Sequence, residues 1–544
     1  LRFFLDINVK DVDLKVFELF LSSKEGASMK CDALQRGSLF LLQAFVIFTS
    51  AKINGCPPSD WALQAESGLM MVSNSMPVDG LYPSFSNGFL AGDAGCSNVS
   101  QPDYGTPSTK GGSCGRVHLA GVFSNFSYYD DDPTNTFPQR AGISNPFAVT
   151  ISGDDSQFLG AALDISLGKV LNRSLVACEN SEEKVEVETA VWAHRADRNL
   201  LVFQVEALNL TNSSCGESGQ VIVTFESCAI GAEGTAEAFI LEQEESPLDN
   251  SDMWLLTVRN MEAPPAGSSQ PAPPPTEVGV AFEAVPPTLV LSAAAPAVRF
   301  HAVFHSSLEP SPASAGGGER SPGSPSLERN EATRAADHLL AVVAECRAQS
   351  LSGGGRSSPF IHGAAAWNAS TWNASDASHA AAWAEVWEGG IEVEGNSTIA
   401  AAVNASLYAM VSSLRSDWHL GVSPGGLTHN AYCGHSFWDG ETWMLPGLVA
   451  LFPPLAQSLL QYRAARLPAA QETARLLGVC GSGDSRDDDD DAEEMEPCAN
   501  WPWESALLGF GVSPWSDGDR YEIHIAGDIA LSLELAFRAS GNDP

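Results

Sequence analysis

Residues 435–446 read HSFWDGETWMLP, which sets His435, Trp438, Asp439, Glu441 and Trp443 side by side. A packed core uses flat aromatic side chains but excludes unpaired acids. A solvated loop accepts the acids and gains nothing from the aromatics. A sugar ring uses both. Its apolar C–H face stacks on an indole, and its hydroxyl rim donates to a carboxylate. Asp439 can accept from two hydroxyls at once, and charge-assisted bonds of that kind fix orientation. Downstream, WPWESA (501–506) repeats the combination with Trp503 and Glu504, and YEIHIAGD (521–528) adds His524. Residue types alone leave a second reading open. The aromatics would then pack helices together, and Asp439 and Glu441 would favour a helix start, where acids are stabilised.

Other chemistries fare worse. GVSPG (421–425) matches the G-x-S-x-G nucleophile pattern. That elbow needs a backbone N–H on the residue after the serine, and Pro424 has none. No C-x-x-C pair occurs, so zinc and dithiol chemistry lack their usual ligand spacing. The acidic run DSRDDDDDAEEMEP (484–497) lacks the spaced ligands and glycine turn of a calcium loop and reads as a solvated insertion. Cys480 and Cys498 bracket it and are expected to staple its base. No metal or cofactor is implied.

The elements that must position these residues fall in two blocks. Between about 60 and 300, short β-branched and apolar runs such as 199–210, 219–230 and 252–260 are punctuated by Gly, Asn, Ser and Pro. Many short strands at such spacing predict a sandwich or barrel. Pro/Gly/Ser-rich stretches follow at 263–275 and 309–326. Helical composition then takes over at 330–350. Ile399, Ala402, Val403, Leu407, Met410, Val411 and Leu414 form one apolar stripe at helical spacing. Further helices are expected over 447–467, interrupted at Pro453–Pro454, and over 527–541.

The bulk numbers exclude whole classes of partner. The chain has 544 residues, 67 acids against 29 bases and a net charge of −38. Nucleic acids and anionic membranes both call for a basic surface, so neither is expected as a partner. From Met29, basic Lys30 and Arg36 precede the apolar run Ser38–Thr49 and the small residues Ser50 and Ala51. That is the order of a secretory signal, too short for a membrane span, and no other segment reads as transmembrane. Nine Asn-x-Ser/Thr sequons occur, at Asn98, Asn125, Asn172, Asn209, Asn212, Asn368, Asn373, Asn396 and Asn404. Of eleven cysteines, ten remain once Cys31 leaves with the signal, an even number that suits disulfides. The expected location is secreted, endomembrane-lumenal or vacuolar.

One resemblance ties these readings together. GGLTHNAYCGHSFWDGETWMLP, QYRAARLPAAQETARLLG, WPWESA and YEIHIAGDIALSLELAF resemble, in order and spacing, glycoside hydrolase family 65 and its acid-trehalase-like members. The likeness is strong over about 380–540 and looser over about 65–350, where YPSFSNGFLAG and VHLAGVFSN echo the family's β domain. It implies a multidomain β plus α chain: an extension with signal at 1–51, an N-terminal β-sandwich at 60–328, a helical linker at 329–394 and an incomplete (α/α)6 barrel at 395–544. It implies cleavage of α-glucosides with inversion, by water or phosphate. The family's Trp-Asp pair, which holds glucose, falls on Trp438 and Asp439, and its histidine on His435. Glu504 and His524 fall on the pocket wall; Trp503 and Glu441 complete the expected substrate-binding set. The implied partner is an α-glucoside, and a homodimer is compatible with the resemblance.

The resemblance names no catalytic residue within the chain. The family's general acid lies in a Pro-Asp-Glu-Tyr/Phe stretch, which the resemblance places beyond Pro544 and which these 544 residues do not contain. An inverting glycosidase needs such an acid. The chain is therefore expected to hold sugar without cleaving it, as the truncated front part of a barrel. A carbohydrate-binding remnant and a secreted structural glycoprotein are the alternatives, and helix faces near Leu531, Leu533 and Phe537 are expected to meet water.

Overall fold

The computed structural model describes stretches of 58–309, then 331–352, most of 373–479, 498–513 and 521–541. The expected signal segment, the acidic run 484–497 and Pro544 lie outside the described residues.

The first block is antiparallel sheet. Nine strands run in the spatial order Met70–Ser73, Gln157–Asp164, Lys169–Ala177, Lys184–Ala193, Leu200–Ala207, Ala297–Ser306, Thr276–Glu283, Ser251–Val258 and Phe239–Glu244. A four-stranded sheet pairs Ser84–Ser86, Leu90–Asp93, Arg116–Ser127 and Thr136–Ser144. A three-stranded sheet pairs Thr288–Ser292, Gln220–Ser227 and Val149–Ser152. Period-two alternation explains why they stack. In Leu200–Ala207, Leu201, Phe203 and Val205 face a core shared with Phe85, Leu119, Val221 and Leu289 of the other sheets. Leu200 and Val202 point to the opposite face of the strand. A disulfide joins Cys178 to Cys215, and Cys498 is also disulfide-bonded. Cys480 lies outside the described residues.

The opposite face of the large sheet is covered by α1 (Glu331–Ser352), whose Ala335, Ala336, Leu339 and Val343 pack on Trp192, Leu200, Val202 and Val303. The helix α2 (Asn373–Trp387) docks through His379. That ring accepts the Arg195 backbone N–H at 3.0 Å and donates to the Leu167 carbonyl at 2.7 Å. Burial, helped by neighbouring His194, pushes the His379 pKa down to about 2, so this docking histidine is neutral.

The helices of the last block are α3 (Ser397–Val411), α4 (Leu445–Leu451), α5 (Pro453–Leu477) and α6 (Ile525–Ala539). Asn396 caps α3 by accepting from the Ile399 N–H. The expected interruption falls at Phe452, whose φ of −134° and ψ of 60° end α4 and let Pro453 open α5. Gly478, with φ 65°, closes α5 in the left-handed conformation that glycine tolerates. The shared core runs on past the sheets: Trp383, Leu407, Val411, Leu445 and Leu459 join the same cluster as Phe85 and Phe203. On α6 only Ile525, Ile529 and Ser532 are buried, while Leu531, Leu533, Leu535 and Phe537 are exposed, as the sequence leads one to expect.

A hydrogen-bonded chain of side chains fastens α1 to the sheet. Glu309 meets His305 Nδ1 at 3.1 Å, His305 Nε2 meets His338 Nδ1 at 3.2 Å, and His338 Nε2 meets Asp197 at 2.9 Å. Three contacts between two carboxylates and two imidazoles need three N–H protons, and two neutral rings supply two. One ring is therefore an imidazolium. Burial opposes that charge at His338, but the Asp197 hydrogen bond and charge, with Glu309, outweigh it and hold its pKa above the ordinary value. Glu309 is depressed to about 2 despite burial, by His305, the Ser306 N–H and Asn199, and Arg198 adds an ion pair at 3.2 Å. A histidine raised by its partner stabilises the fold below its unfolded pKa, about 6.5, and loses that contribution as pH rises through the folded value. Thermal unfolding of wild type and His338→Gln should therefore differ most below about pH 6.5 and converge in alkali. A gap that widens with pH would contradict this assignment.

Candidate active site

The strand Ser436–Phe437 pairs with Glu504–Ser505, and this two-stranded ribbon brings the 435–446 loop against the 501–506 segment. Under it, His435 is fully buried. Its Nε2 donates to the Pro138 carbonyl at 2.6 Å and its Nδ1 faces Glu504 Oε2 at 2.8 Å. The two side chains are thereby hydrogen-bonded to each other rather than left unpaired in the interior. Glu504 Oε1 is buried with no hydrogen bond among the described residues.

The loop enters this position through an unusual backbone. Tyr432 and Cys433 have φ of 58° and 55°, a left-handed conformation that side-chain-bearing residues rarely adopt, and Gly434 follows at 75°. Arg140 holds that shape: it donates to the carbonyls of Gly426 at 2.8 Å, Leu427 at 3.2 Å and Gly434 at 3.2 Å. A Cβ at 434 would fall 2.7–2.9 Å from Arg140, so glycine is required there twice over. Burial lowers the Arg140 pKa to about 10, which leaves it charged at neutral pH.

After Phe437 the chain makes a π-helical turn, Gly440–Met444, and runs into α4. Such turns recur at functional sites because the extra residue re-aims side chains. Trp438 is half-buried. Its ring lies 4.9 Å edge-on from His524 and 6.2 Å from Trp443, which is 56% exposed. Asp439 makes no side-chain cap bond to the helix start. Burial, with the Glu441 charge behind it, raises its pKa above the ordinary aspartate value. Burial raises the Tyr432 phenol, and the Asp439 charge adds to the rise. Asp439 stands at the start of the turn, where an acid is favoured, and Glu441 lies in its first turn.

The geometry departs from expectation at Glu441, which turns inward. Arg463 on α5 grips it with two bonds, Nε to Oε1 at 2.6 Å and Nη2 to Oε2 at 2.8 Å, and both residues are buried. Both carboxylate oxygens are thus bonded inside the protein. His435 and Glu504 are likewise bonded inward, to each other and to Pro138. Trp503 is half-buried with its ring edge-on to Phe437 at 5.7 Å. His524 is exposed between Glu522 and Asp528. Its bond to Asp528 is the main cause of its raised pKa. Thus Trp438, Asp439 and His524 share one surface, while His435, Glu441 and Glu504 lie beneath it. None of the residues at this surface is assigned the role of general acid.

Reading the sequence missed Arg140, Tyr432 and the role of Arg463. Arg463 lies within QYRAAR, but nothing in that stretch names Glu441 as its partner. Ser423 of the rejected GVSPG pattern is fully buried in a turn, its Oγ accepting from the Gly425 N–H at 3.3 Å.

Breaking a buried ion pair from one side leaves an uncompensated charge and costs about 3–5 kcal/mol. Arg463→Met should lower unfolding stability by that order in urea titration. The double variant Arg463→Met/Glu441→Gln should recover much of the loss. No recovery would mean that Arg463 acts through its bond to the Phe437 carbonyl rather than through Glu441.

Comparison with known proteins bears on this surface. Residues 404–543 match the model of the glycosyl hydrolase family 65 central catalytic domain. The chain is 28% identical over 496 residues to a protein-glucosylgalactosylhydroxylysine glucosidase of Dictyostelium discoideum, covering 89% of this chain and 56% of that protein. It is 32% identical over 165 residues to a kojibiose hydrolase of Flavobacterium johnsoniae, covering 30% of this chain and 22% of the relative. A solved structure from the human microbiome described as a kojibiose phosphorylase aligns with a TM-score of 0.54 at 10% identity, over 87% of this chain and 56% of that one, a likeness of fold. The chain thus spans about half the length of the Dictyostelium relative. The match over residues 404–543 agrees with the family resemblance drawn from the motifs.

Proposed function

We propose that the surface formed by Trp438, Asp439 and His524 holds the glucose unit of an α-glucoside, a disaccharide or a glucosylated glycan, in an enzyme of the glycoside hydrolase kind. The observation that carries this is Asp439: a half-buried carboxylate with no cap bond, next in the chain to an indole that meets His524. A stacked sugar would supply hydroxyl donors to it. The similarity to a glucosidase and a kojibiose hydrolase supports the substrate class. In this reading the helices from α3 onward are part of an (α/α)6 barrel and cleavage proceeds with inversion, by water in preference to phosphate. His435, Glu504, Arg140 and Arg463 shape the site from beneath without touching sugar.

The same proposal places the chain in an oxidising, secretory compartment. The Cys178–Cys215 disulfide, the bonded Cys498, the sequons and the leader-like segment from Met29 support that placement.

Calorimetric titration with glucose and with trehalose tests the site. Heat of binding that disappears in Asp439→Ala is the expected result, because a hydrogen bond to a charged group is worth roughly 1.5–3 kcal/mol, about ten- to a hundredfold in affinity. No heat from folded wild type would leave the structural-glycoprotein reading instead, and equal binding by the variant would overturn the assignment of Asp439. Affinity should also fall on acidification sooner than for an ordinary aspartate. The raised Asp439 pKa means that the acceptor is neutralised above the usual range.

A further inference from the structure

The sequon asparagines whose surroundings are described do not share one environment. Asn404 lies on the inner side of α3, 8% exposed, with Nδ2 donating to the Gly68 carbonyl at 3.0 Å. The backbone there is tight: a Cβ on Gly68 would stand 2.9 Å from the Ala401 nitrogen. The hydroxyl that completes this sequon, Ser406 Oγ, donates to the Ala402 carbonyl at 2.8 Å within the helix. The Asn404 amide is thus enclosed between α3 and the Gly68 backbone.

Asn209 and Asn396 are different. Asn209 is exposed in the turn after Leu200–Ala207, with φ 55°. Asparagine is among the few side-chain-bearing residues that adopt this conformation readily, so the turn explains Asn209. It does not explain Thr211, also exposed, which completes the sequon. Asn396 is exposed at the start of α3, with Thr398 exposed two residues on. Its side chain acts there only as an acceptor, through Oδ1 to the Ile399 N–H at 3.1 Å. Carrying a sugar on Nδ2 keeps that carbonyl, so the cap and the modification are compatible.

We propose that Asn209 and Asn396 are N-glycosylated in the folded protein and that Asn404 is not, an inference that rests on the secretory placement proposed above. The reaction is a group transfer. The asparagine Nδ2 displaces a polyprenyl diphosphate from C1 of an oligosaccharide donor. An N–C1 bond forms, the C1–O bond breaks, and one amide proton leaves with the diphosphate. The Nδ2 keeps one N–H. At Asn209 and Asn396 the glycan projects into solvent. At Asn404 it would occupy the space of the 68–69 backbone, so a chain modified there cannot close α3 onto that segment.

The experiment expresses the full chain behind a heterologous secretory leader in a eukaryotic host, so that entry into the lumen does not depend on the segment from Met29. Glycans are removed enzymatically in heavy-oxygen water, which marks each formerly occupied asparagine as labelled aspartate for peptide mass spectrometry. Label at Asn209 and Asn396 and none at Asn404 in the protease-resistant folded fraction is the expected result. Asn209→Gln should run one glycan step faster on a gel, and Asn404→Gln unchanged. Label at Asn404 in the folded fraction, or unlabelled Asn209 and Asn396, would overturn the proposal. A parallel expression from Met29 reports separately on the export reading, since failure there leaves the site assignment untouched.

Discussion

The loop that carries Trp438 and Asp439 depends on the buried pair between Glu441 and Arg463. Two charges taken out of water repay their desolvation only with near-ideal geometry and every remaining donor bonded. The bidentate contact supplies the geometry, and Arg463 Nη2 also reaches the Phe437 carbonyl at 3.1 Å. One guanidinium on α5 thus fixes the chain before and after Asp439. The Glu441 carbonyl in turn accepts from Ser532 Oγ of α6 at 3.0 Å, so the helix bearing His524 at its start is registered on the same point.

A second grip comes from the other end of the sequence. The strand Thr136–Ser144 supplies the Pro138 carbonyl to His435 and the Arg140 guanidinium to the 426–434 carbonyls. The β block is therefore more than an appendage: it holds the loop in a left-handed path through Tyr432 and Cys433 that the local sequence would not choose. Strain of this kind persists only where surrounding bonds over-determine it. This layer is built from buried polar and charged side chains that hold one another. Arg140, His435, Glu504, Glu441 and Arg463 are all buried, and each is bonded to backbone or to another of the set.

Much of the architecture was legible because it follows from local pattern. Alternation with β-branched residues marked the strands at 200–207, 220–227 and 251–258. Helical spacing from Ile399 marked α3, although Ile399 itself is exposed and the buried face runs through Ala400, Asn404, Leu407, Tyr408 and Val411, and Pro453–Pro454 marked the boundary between α4 and α5. Pairing order within the nine-stranded sheet was not legible, because any strand with one apolar face can pair with several others. Nor did composition reveal that one core runs from the sheets into α2, α3 and α5, since burial is shared between residues far apart in sequence.

For the site, the sequence by itself determined the chemistry on offer: indoles, carboxylates and a histidine crowded into one loop, with a second supply at 501–506 and 521–528. Only the tertiary structure decided which of them face outward. Glu441 and Asp439 are two residues apart and indistinguishable by type, yet a π-helical turn points one at Arg463 and leaves the other as a half-buried acceptor. The reason is that an acid's role depends on whether a buried cation stands within reach, and Arg463 and Arg140 arrive from elements that the loop's own sequence does not mention.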